Sequence, residues 1–176
     1  FGMHPHRDME IITVMVEGEL EHRDSLGHSQ RLRAGEVQRM SAGTGVVHSE
    51  MNNSDQPCRL LQIWIEPERC GTRPVYEQKP FAIGSGWTLL LDPGRSADAM
   101  AIQRPVRMWR AKPAGGERLV LPLRSSCAGW LQLIDGAVAA PMPLQRGDGV
   151  GFGPDAQWPE LAAADTGADL LLLELA

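Results

Sequence analysis

The sequence predicts an all-β protein built from two antiparallel barrel or sandwich modules. Three observations carry this reading. Glycine and proline, 19 and 13 of 176 residues, cut the chain into short segments rich in β-branched and aliphatic side chains, the pattern of many short strands joined by turns. No segment sustains the 3.6-residue apolar period of an amphipathic helix. The turn pattern of the first half also returns, weakly, in the second.

Taken in order, Met9 to Glu17 reads as a strand stopped by Gly18, and Glu19 to Arg23 reads as the next. Asp24-Ser25-Leu26-Gly27 is a turn by composition. Gln30 to Leu32 resumes the sheet, Ala34-Gly35-Glu36 turns again, and Val37 to Met40 is short and extended. Ser41 to Gly45 is a glycine-rich loop leading into a strand over Val46 to Glu50. The permissive φ of Gly43 and Gly45 would let that loop turn sharply. Arg59 to Ile65 is a further strand, ended by Pro67. Glu66 to Gly86 reads as a connector between halves, and Trp87 to Leu91 opens a second series of strands. Leu170 to Leu173, closed by Glu174, reads as a buried strand.

The two halves share a weak echo. Val16-Glu17-Gly18-Glu19, then Leu32-Arg33-Ala34-Gly35-Glu36-Val37, returns as Ile134-Asp135-Gly136-Ala137, then Leu144-Gln145-Arg146-Gly147-Asp148-Gly149. After it, Ser41-Ala42-Gly43 corresponds only roughly to Gly153-Pro154-Asp155. Such spacing predicts two copies of one β-module, residues 1–80 and residues 81–176.

Composition excludes several function classes. A net charge of −5 with scattered basic residues argues against direct nucleic-acid contact. No apolar run approaches the length that spans a bilayer. Cys58, Cys70 and Cys127 are too few, and odd in number, for a disulfide framework; they read as free, inert thiols. The chain opens at Phe1 without an initiator methionine or a signal-peptide pattern. It therefore reads as a fragment or a processed chain with the cytoplasm as default location.

Two strings carry chemistry. His4-Pro5-His6 and His48-Ser49-Glu50 each place two metal-capable side chains at i and i+2. Alternate residues of a strand share a face, so each string is a fork. Two forks on facing strands would make one site from His4, His6, His48 and Glu50, and this donor mix suits a divalent transition metal. All five histidines lie in the first half, so one metal is expected, in the first module. His22 reads as a hydrogen-bonded turn histidine rather than a ligand, and His28 as a solvated one. The five tryptophans read as core or pocket wall, and Met15, Met40 and Met51 as core.

HPHRDMEI, EGELEHRDSLG, AGEVQRMSAGTGVVHSE and LQIWIEP resemble the pirin family of the cupin superfamily, nearest its bacterial branch, which includes quercetin 2,3-dioxygenases. The resemblance is strong over residues 1 to about 80 and architectural beyond. It implies a bicupin of two jelly-roll barrels, the second without metal, and here without the N-terminal strands that the family carries ahead of its HPH string. It implies one metal, Fe(II) first, with Cu, Mn, Ni, Co or Zn as alternatives, held by His4, His6, His48 and Glu50. Glu10 matches a ligand of other cupins, but pirins use the carboxylate after the last histidine, so Glu10 is expected outside the ligand set.

Three neutral imidazoles and one carboxylate would leave a divalent ion with a net charge of about +1, fit for a chelating oxygen donor. The resemblance implies a flavonol and O2 as substrates and ring opening with loss of carbon monoxide; ligand chemistry makes Glu50, the one carboxylate of the set, the base for the flavonol hydroxyl. The alternative is a non-catalytic iron-binding redox sensor acting through a protein partner. A structural zinc site is weaker, because such sites favour closed, cysteine-rich sets. A monomer is expected.

Overall fold

The computed structural model describes residues 1–155 and 160–176; Trp158, one of the five tryptophans, lies outside the described residues. All fifteen elements among them are strands. Contacts divide the chain into one unit of Phe1–Phe81 with Ile102–Arg104 and another of Ala82–Ala101 with Pro105–Ala176.

The first unit holds β1 (His4–His6), β2 (Glu10–Glu17), β3 (Glu19–Asp24), β4 (Ser29–Arg33), β5 (Glu36–Ser41), β6 (Val46–Met51), β7 (Arg59–Ile65) and β8 (Val75–Pro80). They form two antiparallel four-stranded sheets, ordered β1-β6-β3-β4 and β7-β2-β5-β8. The predicted strands appear with ends shifted by at most a residue, and the HPH string is itself a strand rather than the lead-in to one. Its proline is tolerated because β1 is an edge strand whose partner is β6.

The stretch read as a connector differs. Within it, β8 pairs with β5 over its whole length, from Glu36↔Pro80 to Ser41↔Val75. Its composition, VYEQKP, hides the strand because edge strands carry charge and proline that blunt further pairing.

Inward-facing side chains explain where the core of this unit sits. One apolar cluster gathers Ile11, Met40, Ala42 and Val46, and another gathers Met15, Leu20 and Leu32. Between them, at the same faces, come Thr13 on β2, His22 on β3, Gln38 on β5 and His48 and Glu50 on β6, all buried. Period-two alternation therefore runs apolar–polar–apolar along the inner face of β2: Ile11, Thr13, Met15. The polar belt is a buried layer inside an otherwise apolar interior, and such a layer must be internally hydrogen-bonded.

The second unit holds β9 (Thr88–Leu91), β10 (Val106–Ala111), β11 (Arg118–Leu119), β12 (Ala128–Ala140), β13 (Leu144–Gln145), β14 (Gly149–Phe152) and β15 (Leu161–Leu175). Its sheet runs β13-β12-β15-β10-β9, with β11 on β15 and β14 on β12. The Leu170–Leu173 run lies buried within β15, and its Leu170 and Leu172 pack with Leu131, Leu133 and Trp109. The repeat seen in sequence has a backbone counterpart. Gly18 ends β2 at φ 71° and Gly136 breaks β12 at φ 76°. At each, a Cβ would run into a neighbouring carbonyl, 2.6 Å from Pro57 O and 2.1 Å from Gly167 O, so only glycine fits either corner.

Candidate metal centre

β6 is the central element of the site. The loop before it turns at Gly43, whose φ is 47° and whose missing Cβ would lie 2.1 Å from the Thr72 carbonyl oxygen. The Thr44 N–H donates to that same carbonyl. The loop is thus clamped where β6 begins, and alternation then sends His48 and Glu50 inward while Val47 faces out.

Cross-strand pairing assembles the rest. β1 sets His4 directly opposite His48. β3 sets His22 opposite Glu50 and Asp24 opposite His48. His4 Nε2 lies 3.1 Å from His48 Nε2. The His6 ring centroid is 4.7 Å from that of His4 and 4.9 Å from that of His48. His4, His6 and His48 offer one nitrogen each within 4.8 Å of one another; His22, His48 and Glu50 form a second such set, so His48 joins the two. Among the described residues both sets lie in the first unit.

The tautomer of His4 follows from its bonds. Its Nδ1 is 2.7 Å from the Gly2 carbonyl oxygen, which can only accept, so Nδ1 carries the hydrogen and Nε2 presents a lone pair. Burial, and the neighbouring His22, His4 and His6, push the His48 imidazole down to about 3. His6 is lowered too, by burial and by His4, against an opposing pull from Glu50. His48 is therefore neutral at pH 7, the state in which an imidazole binds a metal.

Glu50 is held by two amides. Gln38 Nε2 donates to Oε1 at 2.9 Å and Gln62 Nε2 to Oε2 at 2.7 Å. Gln38 and Gln62 both pair with Thr13, one from each side of β2, so a single row across the opposite sheet supports the carboxylate. Tyr76 donates to the Gln78 amide oxygen at 2.8 Å, with the Gln38 amide oxygen 3.2 Å away. Burial and the charges of Asp24, Glu50 and Glu36 raise the Tyr76 hydroxyl far above its ordinary value, so it stays a donor. Trp64 stands at the outer edge, 54% exposed, edge-on to His6 at 5.0 Å, with its indole N–H on Gln62 Oε1.

Several sequence readings change here. His22 does bond Asp24, but it is fully buried in mid-strand, with its Nδ1 3.5 Å from His48 Nδ1. Its neighbours in the site arrive across the strand, where spacing along the chain does not show them. His28 is not freely solvated: Nδ1 bonds Asp24 at 2.8 Å and its ring stacks on Tyr76. Met51 is exposed, unlike Met15 and Met40. Glu10 lies apart from the histidines, buried, accepting from Ser41 Oγ and 3.9 Å from Arg39 Nη1. Gln38, Gln62 and Tyr76 complete the site; only Gln62 carries a signal in sequence, as a polar residue in the apolar strand RLLQIWI, whereas Gln38 and Tyr76 sit in polar strands.

The donors fit a metal. Two nitrogens bound to one ion at about 2.1 Å each come to about 3 Å from one another at a right angle, close to the 3.1 Å between His4 and His48. Imidazole and carboxylate together suit the divalent first-row ions. A separate depression of about 400 Å³ beside β1 is lined by Pro5, Arg7, Thr44 and Val47; of the candidate ligands, only His6 borders it.

Residues 1–65 match the family Pirin, and residues 89–175 match the family described as quercetinase C-terminal cupin domain. The chain belongs to the pirin family. Its helix-free antiparallel sheets are the cupin fold of that family. The quercetin 2,3-dioxygenase of Escherichia coli K12 is 37% identical over 180 residues, covering 99% of this pirin and 76% of the relative. The pirin-like protein of Caulobacter vibrioides is 39% identical over 181 residues, covering 100% and 77%. Among solved structures, the E. coli bacterial pirin YhhW in complex with nickel(II) superposes with a TM-score of 0.90 at 37% identity, covering 99% of this chain and 76% of that one.

Proposed function

We propose that this pirin binds one divalent transition metal, iron(II) first, through His4, His6, His48 and Glu50, and opens the ring of a flavonol with O2. The observation that carries the reading is the approach of His4 Nε2 and His48 Nε2 to 3.1 Å beside His6, with the Glu50 carboxylate on the same strand as His48. The naming of relatives as quercetin 2,3-dioxygenases, and a nickel complex of one relative, support it. In this reading residues 1–80 carry the metal and residues 81–176 do not. When bound, the ion would supply Lewis acidity at the adjacent 3-hydroxyl and 4-carbonyl oxygens and lower the hydroxyl pKa.

The chain's own residues do the rest. Glu50 takes the hydroxyl proton as base, in an orientation set by Gln38 and Gln62. The exposed face of Trp64 offers an aromatic wall for a planar substrate next to His6. The buried apolar clusters on both sides of the belt keep water from its inner side.

The test is anaerobic loading with iron(II), then quercetin and air. Loss of the flavonol absorbance with release of carbon monoxide is the expected result. Metal bound at one equivalent without turnover would sink the dioxygenase reading and favour a redox sensor.

A further inference from the structure

The belt contains a chain of contacts that the ligand set does not use: Asp24, His22 and His48. The Asp24 side chain is fully buried. It accepts the backbone N–H of Leu26 at 2.9 Å and of His28 at 3.0 Å, the His28 ring at 2.8 Å and His22 Nε2 at 3.0 Å. His22 is fully buried as well, and its other nitrogen, Nδ1, faces His48 Nδ1 at 3.5 Å. The β3–β6 register is what brings them together, since it sets Asp24 opposite His48 and His22 opposite Glu50. His22 and His48 are then diagonal neighbours on one face.

Donor counting fixes the protons. A carboxylate only accepts, and a neutral imidazole has one N–H. His22 must therefore donate from Nε2 to Asp24, which leaves its Nδ1 as an acceptor. With a metal between His4 Nε2 and His48 Nε2, which lie 3.1 Å apart, the hydrogen shared by His22 and His48 belongs to His48 Nδ1, and His48 Nε2 is left with a lone pair. That lone pair points to His4 Nε2, itself bared by the bond from His4 Nδ1–H to the Gly2 carbonyl.

We infer that Asp24 and His22 are positioning residues that set the tautomer and ring orientation of His48, so that its Nε2 is free for the metal. The inference rests on the reading of His48 as a ligand. Metal-bound histidines commonly donate their second ring N–H to a carboxylate or carbonyl; here a second imidazole is inserted between ligand and carboxylate. The insertion lets a residue anchored in the β3–β4 turn govern a ligand on β6.

Two measurements test it on the full chain. The first is the long-range 15N imidazole spectrum of the wild type loaded with diamagnetic zinc(II) at neutral pH, its five histidines assigned through single His→Gln variants. His48 is expected to carry its proton on Nδ1 and His22 on Nε2. A His48 proton on Nε2, or a His22 protonated on both nitrogens, overturns the inference with no variant needed.

The second is nickel(II) titration of wild type, His48→Ala, His22→Leu and His22→Gln. His22→Leu is expected to weaken nickel binding by about 10–100-fold. His22→Gln should recover part of that loss, because its amide oxygen can accept from His48 Nδ1. If His48→Ala binds poorly while both His22 variants match wild type, the relay is wrong and the ligand reading stands. If His48→Ala itself binds like wild type, the ligand reading fails and takes the inference with it.

Discussion

His4 and His48 face each other across the β1–β6 ladder, with their Nε2 atoms 3.1 Å apart. Each imidazole reaches this arrangement with its other nitrogen occupied, His4 by the Gly2 carbonyl and His48 by His22. Replacing either with alanine is expected to lower nickel(II) affinity by more than the roughly 100-fold cost of losing an outer partner. Isothermal titration of the two variants checks this. Wild-type affinity in His4→Ala would remove it from the ligand set.

Acid should destabilise the metal-free protein. The His48 imidazole falls from 6.5 to about 3 on folding, chiefly through burial, with His22, His4 and His6 adding to it. Above pH 6.5 His48 is neutral in both states and contributes no pH dependence. Between pH 6.5 and about 3 the unfolded chain binds a proton that the folded chain does not, so stability falls as pH falls. Melting temperatures of the metal-free protein should therefore drop through this window. The drop should be shallower in His48→Gln, which cannot titrate; equal slopes would assign the acid sensitivity elsewhere.

Glu50 depends on its amides. Gln38→Leu leaves Oε1 buried without its donor, which is expected to cost about 1–3 kcal/mol of stability. Urea unfolding of the metal-free protein measures it. Glu50→Gln is expected to abolish flavonol turnover in the iron-loaded protein, and full turnover with metal retained would remove Glu50 as the base.

In the second unit Arg110 and Asp169 form a buried two-pronged pair at 2.8 and 2.6 Å. Asp169→Ala should destabilise by about 3–5 kcal/mol, since it leaves a buried guanidinium uncompensated. Replacing both partners by apolar residues, Arg110→Met with Asp169→Leu, should recover most of that loss. Denaturant unfolding of the single and double variants decides it, and a double variant as weak as the single would reject the explanation.

Gly43→Ala puts a Cβ against the Thr72 carbonyl at a φ of 47°. Left-handed backbone alone costs a non-glycine residue about 1–2 kcal/mol, and the collision adds to it. Because this loop launches β6, the variant should lose nickel affinity along with stability. Unchanged affinity would show that the turn does not position His48.

Much of this protein is legible in its residues. Glycine–proline punctuation around short runs of β-branched and aliphatic residues specifies β2 to β7 nearly to the residue, because turn formers every few residues leave room only for short strands. The HPH and HSE strings show the candidate ligands because, in a strand, residues i and i+2 share a face. The pairing of Gly18 with Gly136 is visible in sequence because backbone crowding at both corners leaves no other choice.

The tertiary structure decided what lies around those ligands. His22 is 26 residues from His48 and Gln62 is 12 from Glu50, and only the register of β3 on β6, and the closing of one sheet over the other, makes them neighbours. β8 leaves no clear strand signal in sequence because an edge strand is allowed charge and proline that a central strand is not. Spacing along the chain reports which side chains share a face. Which faces meet depends on pairing between distant strands, and that pairing is settled by burying the apolar clusters above and below the polar belt.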